Sequence, residues 1–135
     1  MNRLMMIEFH LDSRSGVSPY LQVMQQVHRA LRLGLLQVGD QLPTVKDVVT
    51  ALAINPNTVL KAYRGLEQEG LVAGKPGVGT FVIRTLTDDS LPAHAPLRRD
   101  LERWMRKARL AGLDGDSIEA LFRDTFRAFA AEDVA

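Results

Sequence analysis

Residues 42–82 read LPTVKDVVTALAINPNTVLKAYRGLEQEGLVAGKPGVGTFV, and the order of signals in this stretch decides the fold. Thr44 follows Pro43 and stands three residues before Asp47, a capping-box-like start for a helix over about Thr44 to Leu52. Ala53 and Ile54 make a short connection without glycine. Asn55 with Pro56 repeats the start signal, a side-chain acceptor ahead of a residue with no N–H to lose. A further helix therefore begins almost at once and reaches Glu69, where Gly70 stops it. Leu71 to Ala73 reads as a short strand, Gly74-Lys75-Pro76-Gly77-Val78-Gly79 as a tight loop, and Thr80 to Arg84 as a second strand rich in Val, Ile and Phe. Two short helices separated by so few residues also describe an ordinary αα corner, and it is the hairpin behind them that specifies a winged helix-turn-helix.

Upstream, residues 5–11 alternate Ile7, Phe9 and Leu11 with Glu8 and His10, the period of a half-buried strand. A loop follows, and Ser18 before Pro19 starts helix one, with the hydroxyl placed to cap free backbone N–H groups. Tyr20, Met24, Val27 and Leu31 form its core face to Leu33, with Gln22, Gln25, Gln26, Arg29 and Arg32 elsewhere. Gly34 and Gly39 bracket a helix exit and turn. Downstream, residues 85–96 are polar and contain proline, the composition of a linker. Leu97, Leu101, Trp104, Met105 and Ala108 then mark one face of helix four, which Gly112 ends. Asp114 caps helix five, with Leu113 and Ile118 as a hydrophobic staple, and Ile118, Leu121, Phe122, Thr125, Phe126 and Phe129 along it. The expected architecture is mostly α with a small β-hairpin: residues 1–84 a winged helix-turn-helix, 85–96 a linker, and 97–135 a helical dimerisation tail.

Composition removes several function classes. The 135 residues are 46% apolar, enough for one domain with a small appendage. There is no cysteine, so no disulfide framework, thiolate zinc site or thiol nucleophile exists, and nothing requires an oxidising compartment. The apolar run from Met1 stops at Glu8, too soon for a signal-peptide core or a span, so a soluble, unprocessed, cytoplasmic protein with no membrane contact is expected. Residues 1–84 hold nine Lys/Arg against six Asp/Glu and residues 85–135 eight against ten, a mildly basic first part compatible with nucleic acid. His10, His28 and His94 are far apart and share no ligand spacing, so no metal site is expected. A Walker loop needs Lys after its last Gly and a helix behind it, whereas Lys75 precedes Gly77 and Gly79 and a strand follows. No Gly-x-Ser-x-Gly elbow is present. No catalytic residue and no cofactor are expected, and the chain does not read as an enzyme.

The chemistry that remains is that of nucleic-acid recognition. At about 100° per residue, Val59, Ala62 and Leu66 cluster on the buried side of helix three with Tyr63 at its edge. Asn57, Lys61, Arg64 and Gln68 fall opposite, a stripe able to bond base edges or phosphates with no carboxylate in it. A solvated stripe has the same composition, and its place on the second helix of a helix-turn-helix is what favours DNA. The N-terminal part of such a helix meets the bases, so Asn57, Thr58 and Lys61 are the candidates for base contact, and Arg64 for base or phosphate. Lys46, in the first turn of helix two, is placed to hold phosphate. Lys75, Gly77, Val78 and Gly79 form a thin tip suited to phosphates or the minor groove. Thr44, Asn55 and Tyr63 complete the expected DNA-binding set.

Two tail helices cannot enclose Trp104, Phe122, Phe126 and Phe129 between themselves, so surplus apolar surface is left for a partner chain. The expected dimerisation surface is Leu97, Leu101, Trp104, Met105, Ala108, Ile118, Leu121, Phe122, Phe126 and Phe129. The alternative is that this face docks on the winged helix of its own chain. A twofold homodimer implies a palindromic operator with half-sites about 10 bp apart. Arg98, Arg99, Arg103, Arg106, Lys107 and Arg109 read as a solvated face, with Asp124 of a partner or flanking phosphate as other takers. A pocket between two tails is a place for a small-molecule effector, although no tail group identifies one. The rival function is a winged helix that binds proteins and no DNA.

Residues 42–82 resemble the winged-helix domain of the GntR family of bacterial transcription regulators. The resemblance rests on Leu42-Pro43-Thr44 opening helix two, Asn57-Thr58-Val59 with Ala62-Tyr63-Arg64-Gly65-Leu66-Glu67 in helix three, and Gly77-Val78-Gly79-Thr80-Phe81-Val82 closing the wing. Pro19, Tyr20, Gln22 and Gly39-Asp40-Gln41-Leu42-Pro43 extend it over about residues 17–84. The short helical remainder is similar to that of the YtrA-like subfamily, which implies tail-mediated dimerisation and control of transporter operons, with repression of a palindromic operator. The chain departs from the family where many members have Arg and it has Lys46, and where several have basic residues and it has Pro56 and Leu60. Base reading therefore leans on Asn57, Lys61 and Arg64, with Leu60 placed either to touch a thymine methyl or to pack against helix two.

Overall fold

The computed structural model describes residues 7–86 and 95–132. Its elements are α1 (Pro19–Arg32), α2 (Val45–Leu52), α3 (Pro56–Gln68), β1 (Val72–Lys75), β2 (Gly79–Val82), α4 (Ala95–Leu110) and α5 (Gly115–Glu132). They fall into two compact units, Met1–Leu91 and Pro92–Ala135.

Local signals set the helix-turn-helix. The Thr44 hydroxyl accepts from the Asp47 N–H at 3.1 Å, and the Asn55 Oδ1 accepts from the Asn57 N–H at 2.8 Å, so each helix has a side chain on one of its free donors. Between them Ala53 takes φ 54° and ψ 44°, and its N–H donates to the Val49 carbonyl. This is the left-handed cap that glycine usually occupies, here built from alanine, and it leaves only three residues between the end of α2 and the start of α3. Behind the two helices, Val23, Val27 and Leu31 of α1 meet Val48, Val59, Ala62 and Leu66, with Leu36, Leu42, Leu71, Val72 and Val82 closing the core.

The hairpin pairs Val72 with Val82 and Lys75 with Gly79 in antiparallel register, so both strands sit one to two residues away from the expected limits. The turn shrinks to Pro76-Gly77-Val78, with the Val78 N–H donating to the Lys75 carbonyl and Gly77 at φ 74°. Residues 39–42, which follow the exit turn and carry no strand signal in the sequence, lie along β2. The Gly39 and Leu42 N–H groups donate to the Val82 and Thr80 carbonyls, and the Val82 N–H donates to the Asp40 carbonyl. Gln41 bridges Phe81 there, so the wing is anchored to the chain entering α2.

Three expectations about the first unit are corrected. Residues 7–12 form no strand, and residues 5 and 6 lie outside the described residues. Ile7 and Phe9 do pack on the core, but the His10 backbone bonds the Gln26 amide through both its N–H and its carbonyl, so no neighbouring strand is needed. Gln22, assigned to the outer face of α1, is 8% exposed and is a structural hub. Its Oε1 accepts from the Asp12 N–H and its Nε2 donates to the Asp12 and Val17 carbonyls and the Ser15 hydroxyl. With this loop held by Gln22, the Ser18 side chain makes no capping bond to α1.

Most of the expected linker, residues 87–94, lies outside the described residues, and its two ends are corrected. Thr85 donates its hydroxyl to the Leu31 carbonyl and Leu86 packs on the first core. Ala95 and Pro96 belong to α4, where proline costs nothing in the first turn. In the second unit, Asp114 accepts from the Ser117 N–H at 2.8 Å at the start of α5, as its position implied. Hydrogen bonds from the Ser117 side chain and backbone hold the Asp114 carboxyl below its usual range. Ala108 and Ile118 are buried between α4 and α5.

Candidate nucleic-acid interface

Proline at the first position and Asn55 as cap orient α3 so that Val59, Ala62, Tyr63 and Leu66 face inward. The opposite side carries Asn57, Lys61, Arg64 and Gln68, all exposed. Among the described residues no carboxylate pairs with Lys46, Lys61, Arg64 or Lys75, so four cations remain available to an anionic partner. Of the two carboxylates that flank Gln68, Glu67 is turned to the hairpin, where its Oε2 accepts from the Gly74 N–H at 3.3 Å, and Glu69 Oε1 lies 2.7 Å from His28 Nε2.

The wing forms a second contact group. Val78 is 62% exposed at its tip, and the Lys75 ammonium lies 5.0 Å from the Phe81 ring centroid. Thr44, at the start of α2, faces Lys75, Pro76, Gly77, Val78 and Gly79 across an open groove of about 550 Å³. The Gln41 Nε2 donates to the Val78 carbonyl at 3.4 Å, supporting the tip from below. Lys46 stands exposed in the first turn of α2. Thr58 and Leu60 are half-buried, and the Asn55 Oδ1 and Thr44 hydroxyl already serve as caps.

One expected contact is removed. Tyr63 is 6% exposed, and its hydroxyl donates to the Pro43 carbonyl at 2.6 Å. Burial first, and the nearby Asp47 charge second, push its pKa well up. The residue ties α3 to the entry of α2 and presents nothing to a groove. Sequence reasoning also missed Gln41, Glu67 and Tyr20, whose ring lies under Lys61. Each acts across a distance in the chain that periodicity does not register.

An exposed, carboxylate-free stripe on the second helix of a helix-turn-helix, with a thin basic wing beside it, defines a DNA-binding transcription regulator. Residues 19–82 match the bacterial regulatory proteins of the gntR family. The chain belongs to the GntR family of transcription regulators and is not an enzyme. It is 30% identical over 118 residues to the HTH-type transcriptional repressor YtrA of Bacillus subtilis (strain 168), spanning 84% of this chain and 88% of that protein. Among solved structures it is similar to a transcriptional antiterminator from Listeria monocytogenes EGD-e, with a TM-score of 0.56, 26% identity, and 88% and 90% of the two chains covered. It is also similar to YtrA from Sulfolobus acidocaldarius, a GntR-family transcription factor, with a TM-score of 0.51, 26% identity, and 75% and 95% covered. Among the described residues no helix is long and apolar enough to cross a membrane, and no group of three or more His, Cys, Asp or Glu is placed to hold a metal ion.

Proposed function

We propose that the chain is a cytoplasmic repressor that binds a palindromic operator as a homodimer, with α3 of each protomer in the major groove of one half-site. The observation that carries the reading is the outer side of α3, where the side chains of Asn57, Arg64 and Gln68 stand exposed with no hydrogen bond or ion pair among the described residues. The wing, with Lys75 and Gly77 to Gly79, follows the adjacent phosphates or minor groove. Similarity to a repressor over most of both chains supports repression as the outcome. The resemblance to short-tailed relatives supports a transporter operon as the target.

Pairing rests on the tail. Leu97, Leu101, Met105, Leu121, Phe122, Phe126 and Phe129 are all exposed in the single chain, Phe126 and Phe129 at 59% each. Leu101, Trp104, Leu121, Phe122, Thr125, Phe126 and Phe129 line an apolar groove of about 400 Å³. Fully burying a large apolar side chain contributes about 1.5–3 kcal/mol, and these are 38–65% exposed, so each has roughly half of that to set against the association entropy of a dimer. On α5 the Phe122 and Phe126 rings stack with centroids 6.1 Å apart and remain 40% and 59% exposed, apolar surface that a second copy would cover.

Selection of bound duplexes from genomic DNA, followed by fluorescence anisotropy and sedimentation, tests both parts. A twofold-symmetric site bound by a dimer, with binding lost in Arg64→Ala while the thermal transition is unchanged, is the expected result. A folded chain that selects no duplex refutes the DNA-operator reading, and a monomer at micromolar concentration refutes the dimer.

A further inference from the structure

We infer that Lys61 is a phosphate contact aimed by the ring of Tyr20, and that Tyr20 is a positioning residue of the interface. This rests on the DNA-binding reading above. The Lys61 ammonium lies 4.0 Å from the centroid of the Tyr20 ring, which sits in the first turn of α1. One turn further along both helices the Met24 side chain fills the space over Gly65, where an added Cβ would come within 2.7 Å of Met24 Cε. Tyr20 and Met24, like Lys61 and Gly65, are four residues apart, so the two contacts are successive rungs of one α1–α3 seam.

That placement puts Lys61 at one edge of the stripe. At about 100° per residue, Arg64, Asn57, Gln68 and Lys61 follow one another in steps of about 20°, and Lys61 is the member on the Gly65 side, the side that faces α1. A helix with its side chains is about 10–12 Å across and the major groove about 12 Å wide, so α3 fills the groove. A group drawn sideways from α3 toward a neighbouring helix therefore meets the groove wall, which is the sugar–phosphate backbone. A base reader must instead extend away from the scaffold. Lysine suits the wall: its ammonium is a compact charge with three donors, and a ring beneath it leaves donors free for phosphate oxygens. The ring also restricts a long, flexible side chain before DNA arrives, which reduces the ordering lost on binding. Lys61 has no carboxylate partner among the described residues that would compete with phosphate.

The test uses the full chain and a duplex selected as above, with affinity measured between about 50 and 200 mM salt and against single-base-pair variants of the site. Lys61→Ala removes one phosphate contact from each protomer of the bound dimer, so it should lower the slope of log K on log salt by about 1.8 and leave the ranking of variant sites unchanged. Tyr20→Phe, which keeps the ring, should match the wild type within about twofold. Tyr20→Leu should weaken binding several-fold, and have no further effect once Lys61 is alanine. In the free protein, the Lys61 ε-methylene protons should show an upfield ring-current shift that Tyr20→Phe preserves. This readout stands even if Tyr20→Leu does not fold. An unchanged salt slope with lost preference at one base pair in Lys61→Ala makes Lys61 a base reader and overturns the inference. Absence of the ring-current shift, or equal effects of Tyr20→Leu with and without Lys61, overturns the role of Tyr20. A folded wild type that binds no duplex overturns the DNA reading itself and this inference with it.

Discussion

Replacing Tyr63 by phenylalanine removes a single hydroxyl from the seam between α3 and the entry of α2, and it separates a structural from a DNA-contacting role. In the native chain that hydroxyl donates to the buried Pro43 carbonyl at 2.6 Å. The ring stays in place in the variant, so packing is kept, and the carbonyl is left without its donor. An unsatisfied buried acceptor costs about 1–3 kcal/mol, so a loss of about 2 kcal/mol is expected. For a unit of this size that lowers Tm by about 10 °C. Linkage adds a second signature. The native pKa of Tyr63 is raised, chiefly by burial, so its contribution is complete below the unfolded value of about 10 and is lost as pH rises above it. The stability gap between wild type and Tyr63→Phe should therefore narrow by up to about 1.4 kcal/mol per pH unit above about pH 10. Urea unfolding of both proteins from neutral to alkaline pH measures the gap. Operator affinity of the folded variant at neutral pH should stay within about threefold of wild type, since a lost contact worth 1.4 kcal/mol is about tenfold. A variant as stable as wild type but tenfold weaker on DNA would refute the reasoning.

Four further outcomes follow from the same geometry. Ala53→Gly relieves a left-handed alanine in an exposed turn and should stabilise the first unit by about 0.5–1 kcal/mol, read as a rise in Tm. Gln22→Ala strips hydrogen-bond partners from the backbone of Asp12 and Val17 and should cost about 2 kcal/mol, with faster amide exchange at Asp12 as the local signature. Phe126→Glu places a charge on the exposed apolar face of α5 and should shift sedimentation from dimer to monomer with the winged helix still folded. Asp114 is held ionised at the start of α5, so its contribution is present above its unfolded pKa and is lost as pH falls through the lowered native value. Tail helicity followed by circular dichroism should thus fall on acidification, and less steeply in Asp114→Asn.

The helix starts were legible because their signals are local. Thr44, Asn55 and Asp114 each bond an N–H two or three residues ahead, and a reader of the sequence sees donor and acceptor together. The outer stripe of α3 was legible for a related reason, since periodicity alone sorts Val59, Ala62 and Leu66 from Asn57, Arg64 and Gln68. Val23 of α1 is fully buried although it lies beside the Tyr20, Met24, Val27 and Leu31 stripe, because the core wraps further around this helix than one stripe. In residues 7–11 the alternation is local and the pairing is not. Their alternation was read correctly as one buried and one exposed side, but it does not say which partner bonds the backbone, and here that partner is a glutamine side chain.

What the sequence determined by itself was the five helices and the hairpin, the family, and the residue types offered to DNA, all of which depend on caps, turns and spacing within a few residues. Tertiary structure decided which polar groups are spoken for. Gln22 reaches back ten residues to Asp12, and Tyr63 twenty residues to Pro43. Gln41 reaches thirty-seven residues to Val78, and Lys61 comes to rest over Tyr20 at the start of another helix. A glutamine, a tyrosine and a lysine are amphipathic, and each can face water or a partner at similar local cost. Only the packing of α1, α3 and the wing supplies the acceptor, the donor or the ring that settles which.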